Sequence, residues 1–214
     1  MPPLCRAFKR LVDITFGLFA LLLTLPVLVV AALAVKWDSK GPWLFRQTRI
    51  GAGGQRFTVL KLRTMHVNND STEHEQFVAG LIRGDAAAVA DDREGGEIFK
   101  LAGDPRITKV GRVLRRLSID ELPQLFNVLS GTMSLVGPRP PLPNEVSIYA
   151  ERDRQRLAVK PGMTGLWQVS GRSRLSFDEM VELDIRYWTQ WTPLLELGIL
   201  ARTPRAALFG RETA

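Results

Sequence analysis

The chain has 214 residues, 45% of them hydrophobic, which fits one domain of ordinary size with a buried core. Its formal net charge of +7 favours anionic partners (nucleic acid, phospholipid head groups or phosphorylated substrates) without choosing among them. A single cysteine, Cys5, excludes an internal disulfide and fits a reducing compartment, and His66 and His74 lack the clustered partners of a zinc site.

The first element in chain order is an uncharged apolar run from Ile14 to Val35, preceded by Lys9, Arg10 and Asp13 and followed by Lys36. Its 22 residues make a helix of roughly 33 Å, about the thickness of a bilayer core. No small-residue cleavage site follows, so the run is expected to stay as an anchor rather than be removed as a signal peptide. Pro26 lies mid-run, where it deletes a backbone donor and is expected to break or kink the helix. Basic residues flank both ends, so charge assigns no direction. A re-entrant helix that dips into one leaflet and returns satisfies both observations; a kinked spanning helix is the alternative.

Beyond the anchor, Trp43–Gln47 and Phe57–Leu60 read as strands around the Gly51–Gly54 turn, a hairpin signal. The polar stretch from His66 to Gly96 reads as a surface excursion with one helix near Glu73–Arg83. Residues 104 to 135 read as two helical pieces broken around Ser118. Gly137–Pro143 is a stiff proline-rich segment and Gly162–Gly171 a glycine-punctuated loop. From Ser176 the chain is helical with a break at Pro193. In the tail, Trp188, Trp191, Leu194, Leu195, Leu197, Ile199 and Leu200 precede Arg202 and Arg205, a pattern suited to a membrane-surface helix or to core packing. The fold class is α+β, mainly helical, divided into a membrane-anchoring segment, residues 1–38, and a main domain, residues 39–214, with interfacial helices.

The most informative run is Gly111 to Gln124. Arg112, Arg115 and Arg116 fall at i, i+3 and i+4 and share a helix face. Asp120 and Glu121 follow, then Pro123, which is comfortable only in a helix's first turn, so a new helix is expected to begin near Asp120. The positive end of a helix dipole keeps carboxylates ionised and also binds phosphate. Taken alone, Asp120 reads as an N-cap before it reads as a catalytic group, and Ser118 with Glu121 matches a capping box.

Lys9-Arg10-Leu-Val-Asp13 before the apolar helix is joined by Gly41-Pro42-Trp-Leu-Phe45-Arg-Gln47-Thr-Arg49-Ile-Gly51 and Lys61-Leu-Arg63-Thr64-Met65. Further on stand Ser118-Ile-Asp120-Glu121-Leu-Pro123-Gln124, Gly137-Pro138-Arg139-Pro140, and Lys160-Pro161-Gly162-Met-Thr164-Gly165-Leu-Trp167-Gln168-Val-Ser-Gly171-Arg172. In this order the chain resembles the bacterial sugar transferases, the monotopic phosphoglycosyl transferases, over all but residues 66 to 100 and the extreme C-terminus. One departure is that many relatives place Ser-Pro in the membrane helix, whereas Leu25 precedes Pro26 here and Thr24 lies one position earlier.

The resemblance implies a phosphoglycosyl transferase that initiates surface glycan assembly. Asp120 would be the nucleophile on the β-phosphorus of a UDP-sugar, giving a phosphosugar-aspartyl intermediate that a polyprenyl phosphate then attacks. Magnesium is expected at Asp120 and Glu121, and Glu121 would bind metal or assist proton movement. Arg115 and Arg139, with Lys61 and Arg63 as weaker candidates, would hold phosphates, and Arg172 and Gln168 the nucleotide end. The expected partners are UDP-sugar, polyprenyl phosphate and membrane lipid, with no nucleic acid, and a homo-oligomer is left open. The expected place is the bacterial cytoplasmic (inner) membrane, catalytic domain on the cytoplasmic face. The rival reading is a non-catalytic membrane-attached protein that binds anionic lipid or nucleic acid, which leaves an acidic pair among arginines unexplained.

Overall fold

The structure, a computed structural model, describes residues 2–67, 72–84, 106–171 and 175–209. Helix α1 (Pro3–Asp38) leads into the strands β1 (Leu44–Ile50) and β2 (Arg56–Leu62). Then come α2 (Thr72–Arg83), α3 (Lys109–Arg116), α4 (Gln124–Ser130), β3 (Ser134–Val136), α5 (Pro143–Ser147) and α6 (Glu151–Arg154). Strand β4 (Gly162–Thr164), α7 (Leu166–Ser170), α8 (Phe177–Thr189) and α9 (Pro193–Phe209) complete it. The α+β, mainly helical class holds.

Helix α1 starts on Pro3, where a missing N–H costs nothing. Pro26 sits inside this helix and does not divide it in two, so the expected break is corrected: proline deletes one donor, and apolar turns on both sides keep the rest of the ladder. The Thr24 hydroxyl donates to the Ala20 carbonyl at 2.7 Å, the back-bonding by which threonine bends helices. Lys9, Val12, Asp13, Gly17, Leu28, Ala31 and Val35 are buried, a stripe at helical spacing. The opposite face is apolar and bare, from Leu11 through Phe19, Leu22 and Leu23 to Val30 and Leu33, and ends on Trp37, 94% exposed. Both limbs flanking Pro26 therefore rest on the same domain. Leu28, Ala31 and Val35 pack on Leu62 and Leu114, while Ala20 and Leu21 pack on the main core around Val128, Met133 and Leu135.

The predicted hairpin forms, with β1 and β2 antiparallel in register from Leu44↔Leu62 to Ile50↔Arg56. The helix near Glu73–Arg83 and the break before Pro193 also hold. The glycine-punctuated loop from Gly162 is instead a strand and a helix: β4 pairs parallel with β3, and α7 follows. Gly162 makes this pairing possible, since a Cβ there would stand 2.1 Å from the Gly137 nitrogen. The tail divides: Trp188, Trp191, Leu195, Ile199 and Leu200 pack on the main core, whereas Leu194 is 81% exposed and Leu197 is exposed beside it.

Candidate active site

Helix α3 begins on Thr108, whose hydroxyl accepts from the Gly111 N–H at 2.9 Å. A Cβ on Gly111 would lie 2.1 Å from the Thr64 carbonyl oxygen, so the helix start sits flush on the backbone that leaves β2. After Arg116 the chain turns sharply at Ser118, whose φ of 56° makes it the left-handed non-glycine among the described residues. Such a residue stores strain of order 1–3 kcal/mol. The turn delivers Asp120, 7% exposed, and Glu121 on a 3₁₀ turn, Ile119–Glu121. Ser118 makes no side-chain cap bond, so the capping-box reading is not realised.

The new helix does begin here, passing through Leu122 and Pro123 in helical conformation before α-helical bonding starts at Gln124. Glu121 Oε1 accepts from Lys61 Nζ on β2 at 2.9 Å. Asn127 braces the same junction: its Nδ2 donates to the Thr58 carbonyl at 2.7 Å and its Oδ1 accepts from the Leu60 N–H at 3.0 Å. The far end of α4 is capped by Arg10, which donates to the Val128 and Leu129 carbonyls at 2.6 and 2.7 Å.

The second candidate segment is the Arg139 loop, fixed through its backbone. Gly137 N–H donates to the Thr164 carbonyl and Gly162 N–H to the Pro138 carbonyl, both at 2.8 Å. On the other side Ile50 N–H donates to the Pro141 carbonyl at 2.9 Å, and Arg49 Nη1 to the Pro140 carbonyl at 3.0 Å. Arg139 Nη1 lies 3.3 Å from Glu145 Oε2, and Arg49 Nη1 lies 4.0 Å from Glu145 Oε1. Two guanidinium groups thus share one buried carboxylate. Burial, reinforced by Arg139, pulls Arg49 down to about 10, while Glu145 and then Glu121 pull it upward. Glu121 lies within electrostatic reach of Arg49, so the acidic turn and the arginine loop face one neighbourhood. Their opposed charges suit a ligand that is anionic and metal-bound.

The other candidates fall as follows. Arg115 is half-buried in the last turn of α3, just before the Ser118 turn. Lys61 is engaged by Glu121. Arg63 is buried and donates to the Pro42 carbonyl at 2.6 Å, Ser39 Oγ at 2.7 Å and the Ser39 carbonyl at 2.8 Å. These contacts make Arg63 a clamp on the end of α1. Gln168 Nε2 donates to the Met163 carbonyl at 3.4 Å, which folds the side chain back on its own segment. Arg172 lies outside the described residues. Arg49 and Asn127, not among the residues the sequence singles out for the site, brace its segments through backbone carbonyls and an N–H. Arg49 stands in the Gln47-Thr-Arg49 run, yet only the fold reveals that its partner is 91 residues away.

Among the described residues no three carboxylate, histidine or cysteine groups cluster as a metal site. Two adjacent carboxylates nevertheless fit magnesium, which keeps waters and takes phosphate oxygens from its substrate. Asp120 and Glu121 are the residues that would hold it.

The bacterial sugar transferase family model matches residues 4–210, and the chain belongs to that family. It is 38% identical over 209 residues to the exopolysaccharide production protein ExoY of Sinorhizobium fredii, an alignment that covers 98% of this chain and 89% of that protein. It is 42% identical over 205 residues to the UDP-glucose:undecaprenyl-phosphate glucose-1-phosphate transferase of Caulobacter vibrioides, covering 91% and 67%. With the galactosyl transferase CpsE of Streptococcus agalactiae it shares 39% over 203 residues, covering 94% and 42%. The chain thus spans about two fifths of the length of CpsE and other longer relatives.

Proposed function

We propose that this chain is a polyprenyl-phosphate sugar-1-phosphate transferase that takes its donor from a UDP-sugar and works through a covalent intermediate on Asp120. The observation that carries the reading is the Asp120–Glu121 pair, held on a strained turn between the basic helix α3 and Lys61. The name of the Caulobacter relative, a UDP-glucose:undecaprenyl-phosphate glucose-1-phosphate transferase, supports the donor and acceptor classes in this reading.

An Asp120 carboxylate oxygen bonds to the β-phosphorus of the donor, and the bond to the bridging oxygen breaks, so UMP leaves with the electron pair. A phosphate oxygen of polyprenyl phosphate then attacks the same phosphorus, and the bond to Asp120 breaks in turn. Dividing one displacement into two lowers each barrier. Burial keeps water from the acyl phosphate. Lys61 holds Glu121, and the guanidinium groups of Arg49 and Arg139 supply planar donors suited to the donor's diphosphate. Magnesium, when bound, supplies neutralisation of charge on the phosphoryl oxygens.

The bare apolar face of α1, with Leu194 and Leu197 exposed on α9, is read as the part that enters lipid. Because one domain holds both limbs of α1, the helix is read as entering and leaving by the same face, here the cytoplasmic face of the inner membrane. Purified protein incubated with UDP-glucose or UDP-galactose, magnesium and undecaprenyl phosphate should release UMP. Asp120→Asn, nearly isosteric, should lower the rate by roughly three orders of magnitude or more with an unchanged melting profile. Normal turnover by that variant would remove the nucleophile assignment.

A further inference from the structure

We propose that Lys9 and Asp13, at the base of the membrane helix, are positioning residues for the Arg139 loop, which makes the anchor part of the active-site scaffold. What Arg139 does is taken from the transfer reaction above; the mechanical linkage stands without it.

The linkage begins in side chains that have no business in lipid. Lys9, Asp13 and Glu196 are all buried against protein, with Glu196 fully enclosed. Lys9 Nζ donates to Glu196 Oε1 at 2.6 Å and to the Val136 carbonyl at 2.9 Å. Glu196 Oε2 accepts from the Tyr187 hydroxyl at 2.6 Å and from Trp191 Nε1 at 2.8 Å. The Tyr187 hydroxyl lies 3.1 Å from the same Val136 carbonyl. One turn further along α1, Asp13 Oδ1 accepts from Ser134 Oγ and from the Leu135 N–H, both at 2.8 Å.

Every residue of β3 is therefore gripped by this cluster, and β3 runs directly into Gly137, Pro138 and Arg139. The pairing of β3 with β4 is too short to hold its register unaided, because strands of three residues contribute few ladder bonds. Lys9 and Asp13 supply the missing fixed points. Arg10, between them, caps the C-terminal end of α4, the helix that follows the Asp120 turn. A single cassette on α1 thus sets the two halves of the site against each other. If these residues served only as charged flanks of a membrane segment, they would face head groups rather than buried partners.

The test uses the full chain in nanodiscs, with Lys9→Met/Glu196→Gln, which removes both buried charges together, and with Asp13→Ala beside Asp13→Asn, which keeps an acceptor. Amide exchange at Gly137 should quicken about tenfold in the double variant and in Asp13→Ala, while the β1–β2 ladder exchanges as in the parent. Asp13→Asn should restore slow exchange. In UMP-release assays the KM for UDP-glucose or UDP-galactose should rise roughly tenfold with kcat nearly constant, whereas a smaller folded fraction would lower kcat alone. Unchanged Gly137 exchange, equal quickening in the hairpin, or a fall in kcat with KM fixed would each overturn the proposal. Absence of turnover in the parent protein would count against the transfer reaction, and exchange at Gly137 would still decide the linkage.

Discussion

Arg156 and Asp184 form a buried ion pair behind the Arg139 loop, with the Arg156 guanidinium 5.8 Å from the Tyr149 ring and 5.7 Å from the Phe177 ring. Burial pushes Asp184 up to about 6 against the opposite pull of Arg156. The Tyr149 hydroxyl, also buried, is raised to about 12 although Arg156 works the other way. Removing one partner leaves an uncompensated charge in a low dielectric. Arg156→Leu should therefore cost about 3–5 kcal/mol, while Arg156→Met/Asp184→Leu should recover most of it. Chemical denaturation of the three proteins measures this, and equal losses in both variants would contradict it. The same scale shows why the arginines could not be sorted by sequence. Arg49, Arg63, Arg139 and Arg156 are alike as letters, but Arg63 clamps the end of α1 and Arg156 neutralises Asp184. Arg49 and Arg139 share the Glu145 carboxylate. Partner identity depends on contacts between distant segments.

Among the elements, α1 and α3 are joined by Asp38, whose Oδ2 accepts from the Val110 N–H at 3.1 Å. Its carboxyl lies below its ordinary value of 3.8, chiefly through a bond with the Thr108 hydroxyl, with Val110, His66 and Lys109 adding to it. A depressed pKa contributes stability that is present above 3.8 and is lost as pH falls through the folded value. Melting temperatures of the parent should thus decline more steeply below pH 4 than those of Asp38→Asn; parallel declines would count against this contact. The hairpin, α2 and the Pro193 break were legible because alternation, turn glycines and proline act locally. The β3–β4 pair was not legible. Three residues carry almost no periodicity, and the parallel partners Ser134 and Gly162 are joined only by a long crossover.

At the scale of the whole molecule, the apolar face of α1 and the exposed leucines of α9 lie on a protein whose domain grips α1 on both sides of Pro26. A straight crossing would carry Leu62, Leu114 and Val128 with it into lipid. Cys5 and a cysteine placed at Lys40 should react with a membrane-impermeant thiol reagent from the same side of sealed vesicles. Reaction from opposite sides would reject one-face attachment.

The sequence by itself determined the apolar anchor, the mainly helical class, the Asp120–Glu121 pair and the resemblance to the bacterial sugar transferases. Those signals are carried by contiguous residues, whose composition and spacing act within a turn or two. Tertiary structure alone decided that Pro26 lies within one helix and that Ser118 turns left-handed instead of capping. It also decided that Lys61 meets Glu121, and that Lys9 and Asp13 reach strand β3. Each of these depends on where burial forces a charge to find its partner. That choice is made by packing among segments far apart in the chain, where local pattern carries no information.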